Sequence, residues 1–299
     1  MKKIGFFGDG IWAEKTLNKL LKIKNYKISF ICLRFSNPDK NLIKIAKKNK
    51  IKVLVKKNIN LKKNFIEIKK FNCELLVSMS YDQIFGNDFV DNYKKKILNC
   101  HAGDLPFYRG RSVLNWVLVN DEKYFGITVH FVDKKIDTGN IILKGKFTIK
   151  DKDNFKTLLN TASVNCSKLL LKAMKLVLEK KNSSYKQSII SKKGSYFRKR
   201  GRGDELIKWN RKSREIFSLI RGICKPSVVA RGFIGRKLIL INKSSSKFSN
   251  IKTNNKIGTV ITRKKNYFIV KTLDSNIRIT DWLGSVEKGD RFKVYANNK

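Results

Sequence analysis

The chain has 299 residues, of which 41% are hydrophobic and 30% charged, and its formal net charge is +44. This length and composition are enough to bury a substantial core, typically in one large or two smaller domains. No apolar run reaches the roughly 18 residues that a membrane span requires. The N-terminus shows no export signal, so we expect a cytoplasmic protein without a membrane partner. The five cysteines have no CxxC spacing, which indicates reduced thiols and argues against a bound metal.

The positive charge is unevenly distributed along the chain. Of the 67 basic residues, 53 are lysines, and the chain is also rich in Asn and Ile, which indicates a general compositional bias. Residues 71–93 contain four acidic residues and no basic one, whereas residues 180–214 are strongly basic. A clustered basic surface is typical of phosphate binding, but a chain-wide bias explains the charge without any partner. We therefore favour a solvated surface over a nucleic-acid partner.

Apolar runs and amphipathic segments alternate through the first eighty residues. The runs KIGFFG, KISFICLR, IKVLV and CELLVSMS predict strands, and the segments between them predict helices. Such alternation is typical of a parallel, doubly wound α/β sheet. The glycine loop at 8–10 lacks the full dinucleotide fingerprint, and LRF stands at 33–35 where an acidic residue would end the second strand. The loop therefore predicts a simple strand-to-helix turn.

Residues 99–140 hold the densest group of side chains suited to acid–base chemistry. Asn99 and His101 are two apart, so on a strand end they point to the same side. The strand-like run at 126–132 could return the chain so that Asp137 joins them. An amide that donates to an oxyanion, an imidazole that moves a proton and a carboxylate that holds the imidazole suit acyl transfer to an amine. A histidine by itself is more often a packed or surface residue. Of the two histidines in the chain, however, only His101 has such an amide and carboxylate near it in the predicted site.

The second half of the chain changes character twice. Residues 153–182 predict a long helix whose apolar face belongs to the core. Residues 204–223 predict a further, largely helical segment, and the short β-type runs that follow are typical of a small barrel or sandwich. These runs are RKLILINK, GTVITR, YFIVKTL and IRITDWL. We predict a catalytic domain over residues 1–190, a basic linker over 191–203, and a C-terminal helix with a small barrel over 204–299.

The central stretch resembles the signature of the 10-formyltetrahydrofolate-dependent formyltransferases. The matching residues are Asn99, His101, Leu105, Pro106, Tyr108, Arg109, Gly110, Gly126, Thr128, His130, Asp137, Thr138 and Gly139. The resemblance covers residues 1–190 well and the remainder more loosely. It implies an α/β fold with a Rossmann-like N-terminal domain that uses no NAD, and a smaller β-rich C-terminal domain like an oligonucleotide-binding (OB) barrel. It also implies that Asn99, His101 and Asp137 are catalytic, and that 10-formyltetrahydrofolate is the cosubstrate that formylates a primary amine.

Three branches of that family differ in the amine that they formylate. The methionyl-tRNA formyltransferases carry a basic insertion between the second strand and the next helix, whereas residues 34–49 run directly from strand to helix. They also usually read HPSLLP and RGAAP where this chain has HAGDLP and RGRSVLNW. Residues 110–120, GRSVLNWVLVN, resemble instead the nucleotide-sugar N-formyltransferases, which act on dTDP-, UDP- or GDP-linked amino-deoxysugars for surface polysaccharides such as the lipopolysaccharide O-antigen. Glycinamide ribonucleotide formyltransferase is shorter, lacks a second domain and ranks last.

Side chains near the catalytic set are candidates for substrate binding. Arg109 and Arg111 could clamp the pyrophosphate of a nucleotide sugar through charge-assisted hydrogen bonds, and Tyr108 lies beside them. In the alternative interpretation one of these arginines is structural and pairs with Asp104 or with the acidic residues at 121–122. By resemblance, the folate would lie against Met79, Tyr81, Ile84, Val132 and Asp133, of which the apolar ones suit a plain core equally well.

The predicted mechanism assigns a role to each member of the catalytic set. Asn99 donates to the developing oxyanion, His101 stabilises that charge or accepts the proton of the amine, and Asp137 holds His101; which of the last two is the formal base stays open. The C-terminal domain could provide the surface of a homodimer. Two alternative functions remain, a methionyl-tRNA formyltransferase and a non-catalytic folate-, nucleotide- or nucleic-acid-binding protein, since fold alone does not fix function.

Overall fold

The structure, a computed structural model, describes residues 1–181, 183–249 and 251–295. Two compact units, each assembled from segments that are separated in the sequence, make up the chain. The first unit comprises residues 1–110, 126–147 and 160–197, and the second comprises residues 111–125, 148–159 and the chain from 198 onward. The domain boundaries that we place at 190 and 203 stay a prediction.

The elements follow one another as strands and helices of ordinary length. In chain order they are β1 (Lys2–Gly8), α1 (Gly10–Leu20), β2 (Tyr26–Leu33), α2 (Lys40–Lys48), β3 (Lys52–Val55), α3 (Lys62–Lys69), β4 (Leu75–Met79), α4 (Asn87–Asn92), β5 (Ile97–His101), β6 (Arg109–Gly110), α5 (Val113–Val119), β7 (Tyr124–Phe131), β8 (Ile141–Thr148), α6 (Phe155–Leu178), β9 (Tyr196–Phe197), α7 (Ser213–Gly222), β10 (Ala230–Ile234), β11 (Lys237–Ser244), β12 (Val260–Lys264), β13 (Tyr267–Lys271) and β14 (Asn276–Leu283). A short 3₁₀ helix covers Gln187–Ile189. No helix of the described part of the chain is both long and apolar enough to cross a membrane.

A seven-stranded sheet with the order β3-β2-β1-β4-β5-β7-β8 carries the first half of the chain. Its first five strands are parallel, and β4 is buried along its whole length, as expected of a strand covered on both faces. The predicted α/β fold class is therefore confirmed. Strand β7 differs because it runs antiparallel to β5, which sets Asn99 opposite His130 and His101 opposite Thr128.

Helix α6 matches the prediction of a long helix, although it is shorter at both ends. The predicted end at 182 falls outside the described residues. The helix begins after Asn154, whose side-chain oxygen accepts a hydrogen bond from the Thr157 N–H at 3.1 Å. A stripe at a spacing of four or three residues is fully buried or nearly so, as a core face requires. Its residues are Leu158, Ala162, Cys166, Leu170 and Ala173.

A five-stranded antiparallel sheet with the order β10-β11-β14-β13-β12 forms the β-rich part of the second unit. The four strands predicted there are present as β11 to β14. Residues beyond β14 bridge to both sides of this sheet, since Phe292 pairs with Ile234 and Arg291 pairs with Thr259. These bridges join its two edges in the manner of a small barrel. The sequence did not predict β10.

The predicted helix over 204–223 is wrong in its first half, because only Ser213–Gly222 is helical. Glu205, Ile207 and Trp209 are all buried while the residues between them are less so, and this period of two is that of an extended chain. The Ile207 N–H donates to the Arg231 carbonyl at 2.8 Å, so the segment runs beside β10. Burial of Ile207 and Trp209 in the core of the barrel outweighs helix propensity there.

Candidate active site

The C-terminal end of β5 and the loop after β7 bring the three predicted catalytic side chains together. Asp137 Oδ2 lies 3.7 Å from His101 Nδ1, and Asp137 Oδ1 lies 3.4 Å from Asn99 Nδ2. His101 is 8% exposed, so the set is almost closed to bulk water on that side. An amide, an imidazole and a carboxylate thus share one small polar site, and their catalytic roles stay a prediction.

His130 is a fourth member of this site that our catalytic assignment omits. Its Nδ1 lies 2.8 Å from the Phe131 carbonyl, and because a carbonyl only accepts, Nδ1 carries the hydrogen. The other ring nitrogen, Nε2, can then accept from Asn99 Nδ2 at 3.2 Å. Nε2 also lies 3.5 Å from Asp137 Oδ1, so a protonated ring would donate to the carboxylate instead. The sequence signal was available, since His130 belongs to the signature and follows Thr128 by two.

Asp137 is the group on which the other side chains of the site converge. Its φ of +53° lies in the left-handed region, and its Oδ2 accepts a hydrogen bond from the Gly110 N–H at 2.9 Å. Burial alone would raise the pKa of this carboxyl group. The charge of a protonated His101, a hydrogen bond from a protonated His130 and the hydrogen bond from the Gly110 N–H outweigh burial and hold the pKa well below its usual range. The group is therefore a carboxylate at neutral pH.

His101 lies between two hydrogen-bond acceptors. Its Nε2 is 2.6 Å from the Tyr108 carbonyl, and its Nδ1 faces Asp137. Because a carbonyl only accepts, Nε2 carries a hydrogen, and a second proton on Nδ1 would point at the carboxylate. The site is therefore built to stabilise the positive ring that forms when His101 gains a proton, with Asp137 as its counter-ion.

Two glycines let the backbone pass close to this site. A Cβ at Gly103 would meet both His101 Nε2 and the Tyr108 carbonyl, and a Cβ at Gly139 would overlap the Phe131 carbonyl. Backbone cannot yield as a flexible side chain does, so the loop that carries Asp137 needs glycine at 139.

Replacement of Gly139 with alanine is therefore expected to move Asp137 and to lower kcat about 10²-fold, the cost of misplacing a catalytic group by about 1 Å. Steady-state kinetics and thermal unfolding would be measured together. Gly201→Ala is the matched control, because a Cβ there makes only an ordinary contact with Arg198. Unchanged kcat in Gly139→Ala would show that the loop tolerates the extra atom.

The three predicted substrate contacts lie in different settings. The guanidinium of Arg109 donates to Gln187 Oε1 from Nε at 3.1 Å and from Nη2 at 2.7 Å. The Tyr108 ring stacks on Phe197, with centroids 4.5 Å apart and planes 6° apart. Arg111 is exposed and belongs to the second unit.

Two of the three carboxylates named as alternative partners of these arginines bind other bases. Asp104 pairs with Lys144 at 2.5 Å. Asp121 pairs with Arg214 and Arg221. Arg109 therefore binds the uncharged amide of Gln187 and not one of these carboxylates. Contact of Arg109 or Arg111 with a pyrophosphate stays a prediction.

The five predicted folate contacts are also distinct in their surroundings. Met79 is fully buried, and Ile84 is 60% exposed. Tyr81 and Val132 are partly buried and pack against one cluster of aromatic and aliphatic side chains, and the Tyr81 ring lies 5.3 Å from that of Phe7. An apolar surface of this kind suits a flat pterin ring, whereas the Met79 side chain is closed off inside the core.

Asp133 has a carboxylate oxygen available near that surface. Its Oδ1 accepts hydrogen bonds from the Lys135 N–H at 3.2 Å and from the Thr138 hydroxyl at 2.7 Å. Both bonds use the same oxygen, which leaves Oδ2 to accept from the donors of a pterin. The residues present thus fit a folate, and their contact with it stays a prediction. Among the described residues, no group of three or more His, Cys, Asp or Glu side chains could hold a metal ion.

Family comparison agrees with this geometry across both parts of the chain. Residues 2–174 match the sequence model of the family described as formyl transferase, and residues 201–285 match that described as formyl transferase, C-terminal domain. The chain belongs to the formyltransferase family. It is thus related to folate-dependent formyl transfer enzymes, as the signature around Asn99, His101 and Asp137 predicts.

Similar sequences come from more than one branch of that family. The bifunctional polymyxin resistance protein ArnA of Wigglesworthia glossinidia brevipalpis is 36% identical over 206 residues, which are 69% of this chain and 31% of ArnA. This formyltransferase thus spans about a third of the length of ArnA. The methionyl-tRNA formyltransferase of Thermodesulfovibrio yellowstonii is 30% identical over 72% of this chain and 68% of its own length. The methionyl-tRNA formyltransferase of Fusobacterium nucleatum is 27% identical over 93% of this chain and 91% of its own length.

Similar solved structures include sugar-modifying members of the family. The N-formyltransferase of Helicobacter canadensis, in complex with folinic acid and dTDP-3-aminofucose, is 25% identical with a TM-score of 0.71 over 95% of this chain and all of that one. WlaRD, a sugar 3N-formyltransferase in the presence of dTDP and 5-N-formyl-THF, also has a TM-score of 0.71, over 96% of this chain and 99% of the WlaRD chain. At 24% identity the second likeness shows a shared fold.

Proposed function

We propose that this formyltransferase transfers a formyl group from 10-formyltetrahydrofolate to the primary amine of a nucleotide-linked amino-deoxysugar. The proposal is carried by the structural similarity to the Helicobacter canadensis enzyme, which covers 95% of this chain. The structure of that enzyme is a complex with folinic acid and dTDP-3-aminofucose. The product would serve surface polysaccharide synthesis, and the reaction would take place in the cytoplasm.

The connection between β2 and α2 supports a sugar acceptor over tRNA. It consists of six residues, 34–39, and its ends are fixed by polar contacts. Arg34 forms an ion pair with Asp9. Asp39 accepts hydrogen bonds from the Asn41 and Leu42 N–H groups at 2.8 and 3.0 Å and from the Gly10 N–H at 3.1 Å. This short connection therefore lacks the basic insertion that is expected of the tRNA branch at this position.

The geometry of the site suits each step of formyl transfer. The neutral amine attacks the formyl carbon, and a new C–N bond forms while the carbonyl electrons move to oxygen. One amide N–H of Asn99 is directed at His130, and the other makes a long hydrogen bond of 3.4 Å to Asp137 Oδ1, which a bond to this oxyanion would replace. The proton of the amine passes to the pair His101–Asp137, whose carboxylate stabilises the positive ring. The oxyanion then collapses, the bond to the folate nitrogen breaks, and the proton held by the pair passes to that nitrogen, so that neutral tetrahydrofolate leaves and the pair is regenerated.

The acceptor would be identified with a panel of amino-deoxysugar nucleotides that vary in nucleotide and in the ring position of the amine, run beside methionyl-tRNA. We expect turnover with 10-formyltetrahydrofolate on one sugar nucleotide and no turnover above background on the tRNA. Formation of tetrahydrofolate and the mass of the product would be measured. The His101→Asn variant is the matched control and should lose turnover by roughly two to four orders of magnitude.

Methionyl-tRNA formylation is the second candidate function. It is favoured by the 27% identity to the Fusobacterium nucleatum enzyme over nearly the full length of both chains, and the net charge of +44 would suit a polyanion. Turnover on methionyl-tRNA alone, with binding that weakens steeply as salt rises, would establish this function and overturn the sugar proposal.

A further inference from the structure

Gln187 is a buried amide that holds the backbone of the Asp137 loop. It is 4% exposed. Its Nε2 donates to the carbonyls of Asp137 and Gly139 at 2.8 and 2.9 Å, and its Oε1 accepts both bonds from Arg109. Both donors and both lone pairs of the amide are therefore used. The Gln187 side chain has no polar atom left for a ligand and can act only through the groups that it holds.

The chain that follows Gln187 also holds the loop on the other side of the site. The Tyr108 N–H donates to Ser195 Oγ and the Arg109 N–H to the Ser195 carbonyl, each at 3.0 Å. This second loop supplies the Tyr108 carbonyl to His101 and the Gly110 N–H to Asp137. Residues 187–197 thus hold the loop whose Tyr108 carbonyl contacts His101 and whose Gly110 N–H contacts Asp137.

We propose that Gln187 and Arg109 are positioning residues, and that Arg109 acts on the reaction through Gln187 and the Asp137 loop rather than by binding the phosphates of the acceptor. The inference rests on the proposed formyl transfer. A residue such as Asp137 keeps a left-handed φ only where its surroundings fix it. The two carbonyls that Gln187 holds belong to the strained residue Asp137 itself and to Gly139, two residues further along the loop.

The first test compares Gln187→Met with Gln187→Glu. Methionine removes all four hydrogen bonds at similar volume. Glutamate keeps an oxygen for Arg109 but loses both donors and turns a negative charge toward the two carbonyls. We expect both variants to lower kcat about 10²-fold, with KM for the acceptor changed less than about threefold, because no substrate contact is lost. Rescue by glutamate would show that only the contact with Arg109 matters and would overturn the role of the loop.

The control for simple destabilisation is Asn64→Leu. Asn64 is another buried amide of the first unit, and its Nδ2 donates to the Asn58 carbonyl at 2.8 Å. This variant should unfold at a lower temperature and yet keep the kcat of the wild-type protein and its dependence on pH. An equal loss of kcat in Asn64→Leu would assign the effect of Gln187→Met to stability.

A double-mutant cycle separates positioning from phosphate binding. If Arg109 acts through Gln187, the double variant Arg109→Met/Gln187→Met should lose no more than about threefold beyond the worse single variant, because each change breaks the same chain of contacts. If Arg109 binds the pyrophosphate, the losses should multiply and Arg109→Met should raise KM. The second result would overturn the inference.

A spectroscopic readout keeps this inference testable if no acceptor is found. The chain has only two histidines, so ring carbon signals from ¹³C-labelled histidine can be assigned with a His101→Asn variant. In the protein without substrates, Gln187→Met should shift the His101 signal because Asp137 moves, and Asn64→Leu should not. Unshifted signals in Gln187→Met would refute positioning, whereas lack of turnover on every acceptor with shifted signals would count against the proposed function alone.

Discussion

Replacement of Asp137 with asparagine is expected to lower kcat by roughly three orders of magnitude, within the range for loss of a positioned acid–base group. Asparagine has nearly the same shape but no charge. It would remove the counter-ion of His101, 3.7 Å away, and the strong acceptor for the Gly110 N–H. The positive ring that forms during proton transfer would then be unsupported, so the loss falls on kcat rather than on KM.

Single-turnover kinetics at saturating 10-formyltetrahydrofolate would measure this effect on the chemical step. Asp91→Asn is the matched control, because the Asp91 side chain is 60% exposed and its ion pair with Lys134 lies at the surface. The double variant Asp137→Asn/His101→Asn should lose little more than the worse single variant, since the two side chains act as a unit. Retention of more than about a tenth of wild-type kcat in Asp137→Asn would exclude the carboxylate from proton transfer.

The contrast between His101 and His130 shows how far sequence reasoning reaches into this site. Asn99 and His101 are two apart on one strand, so their shared direction follows from the period of a strand. The place of His130 depends on the antiparallel pairing of β7 with β5, which sets His130 opposite Asn99. That register joins residues 31 apart in the chain, so the periodicity of either strand does not reveal it, and membership of the family signature was the one signal for His130.

Gln187 escaped prediction for a related reason. It lies 50 residues after Asp137 in a polar, basic stretch, and such composition is typical of a solvated linker. Its burial results from backbone carbonyls and a guanidinium that reach it from two distant loops. Arg109 was expected to bind phosphate because of its charge, and its engagement with an uncharged amide is visible only in three dimensions.

The parallel strands were predictable because apolar runs bounded by turns indicate buried strands directly. Residues 204–212 were not, because a helical pattern and an extended one compete there. The buried positions Glu205, Ile207 and Trp209 alternate, but the first of them is charged, which hides the period. Strand β10 has the sequence ARGFI, in which an arginine and a glycine weaken the apolar signal of a strand.

Asp121 connects three side chains of α7 within the second unit. Its Oδ1 accepts hydrogen bonds from Arg214 Nη2 at 2.7 Å, Ser218 Oγ at 2.9 Å and Arg221 Nη2 at 2.7 Å. Its Oδ2 accepts from Arg214 Nε at 2.8 Å. The Phe217 ring lies 5.1 Å from the guanidinium carbon of each arginine. Asp121 is therefore the shared counter-ion of two arginines on one helix.

The Asp121→Ala substitution is expected to lower the free energy of unfolding by about 3 kcal/mol, because it leaves the buried charge of Arg221 without its carboxylate. Arg221 is 6% exposed, and besides the Phe217 ring it would keep a hydrogen bond to the Lys150 carbonyl at 3.1 Å. Three of the four tryptophans, at 116, 209 and 282, belong to the second unit. Tryptophan fluorescence during denaturant unfolding therefore reports mainly on that unit.

A surface carboxylate provides the comparison for this loss. Asp91→Ala removes only an exposed pair with Lys134 and should cost less than about 1 kcal/mol. The neutral isostere Asp121→Asn should fall between the two, since it keeps an oxygen for one arginine. Equal stability of Asp121→Ala and Asp91→Ala would mean that water or another group replaces the carboxylate at α7.

The same substitution has a dependence on pH whose sign follows from the pKa of Asp121. Burial alone would raise this pKa, but the hydrogen bonds from Arg214 and Ser218 and the charges of Arg214 and Arg221 lower it below its ordinary value of 3.8. A lowered folded-state pKa stabilises the protein at pH values above that of the unfolded chain, and the stabilisation is lost as pH falls through the folded-state value. The difference in stability between wild type and Asp121→Ala should therefore be complete at neutral pH and shrink below pH 3.8. If the difference persisted in acid, packing of α7 rather than the charge of Asp121 would be its cause.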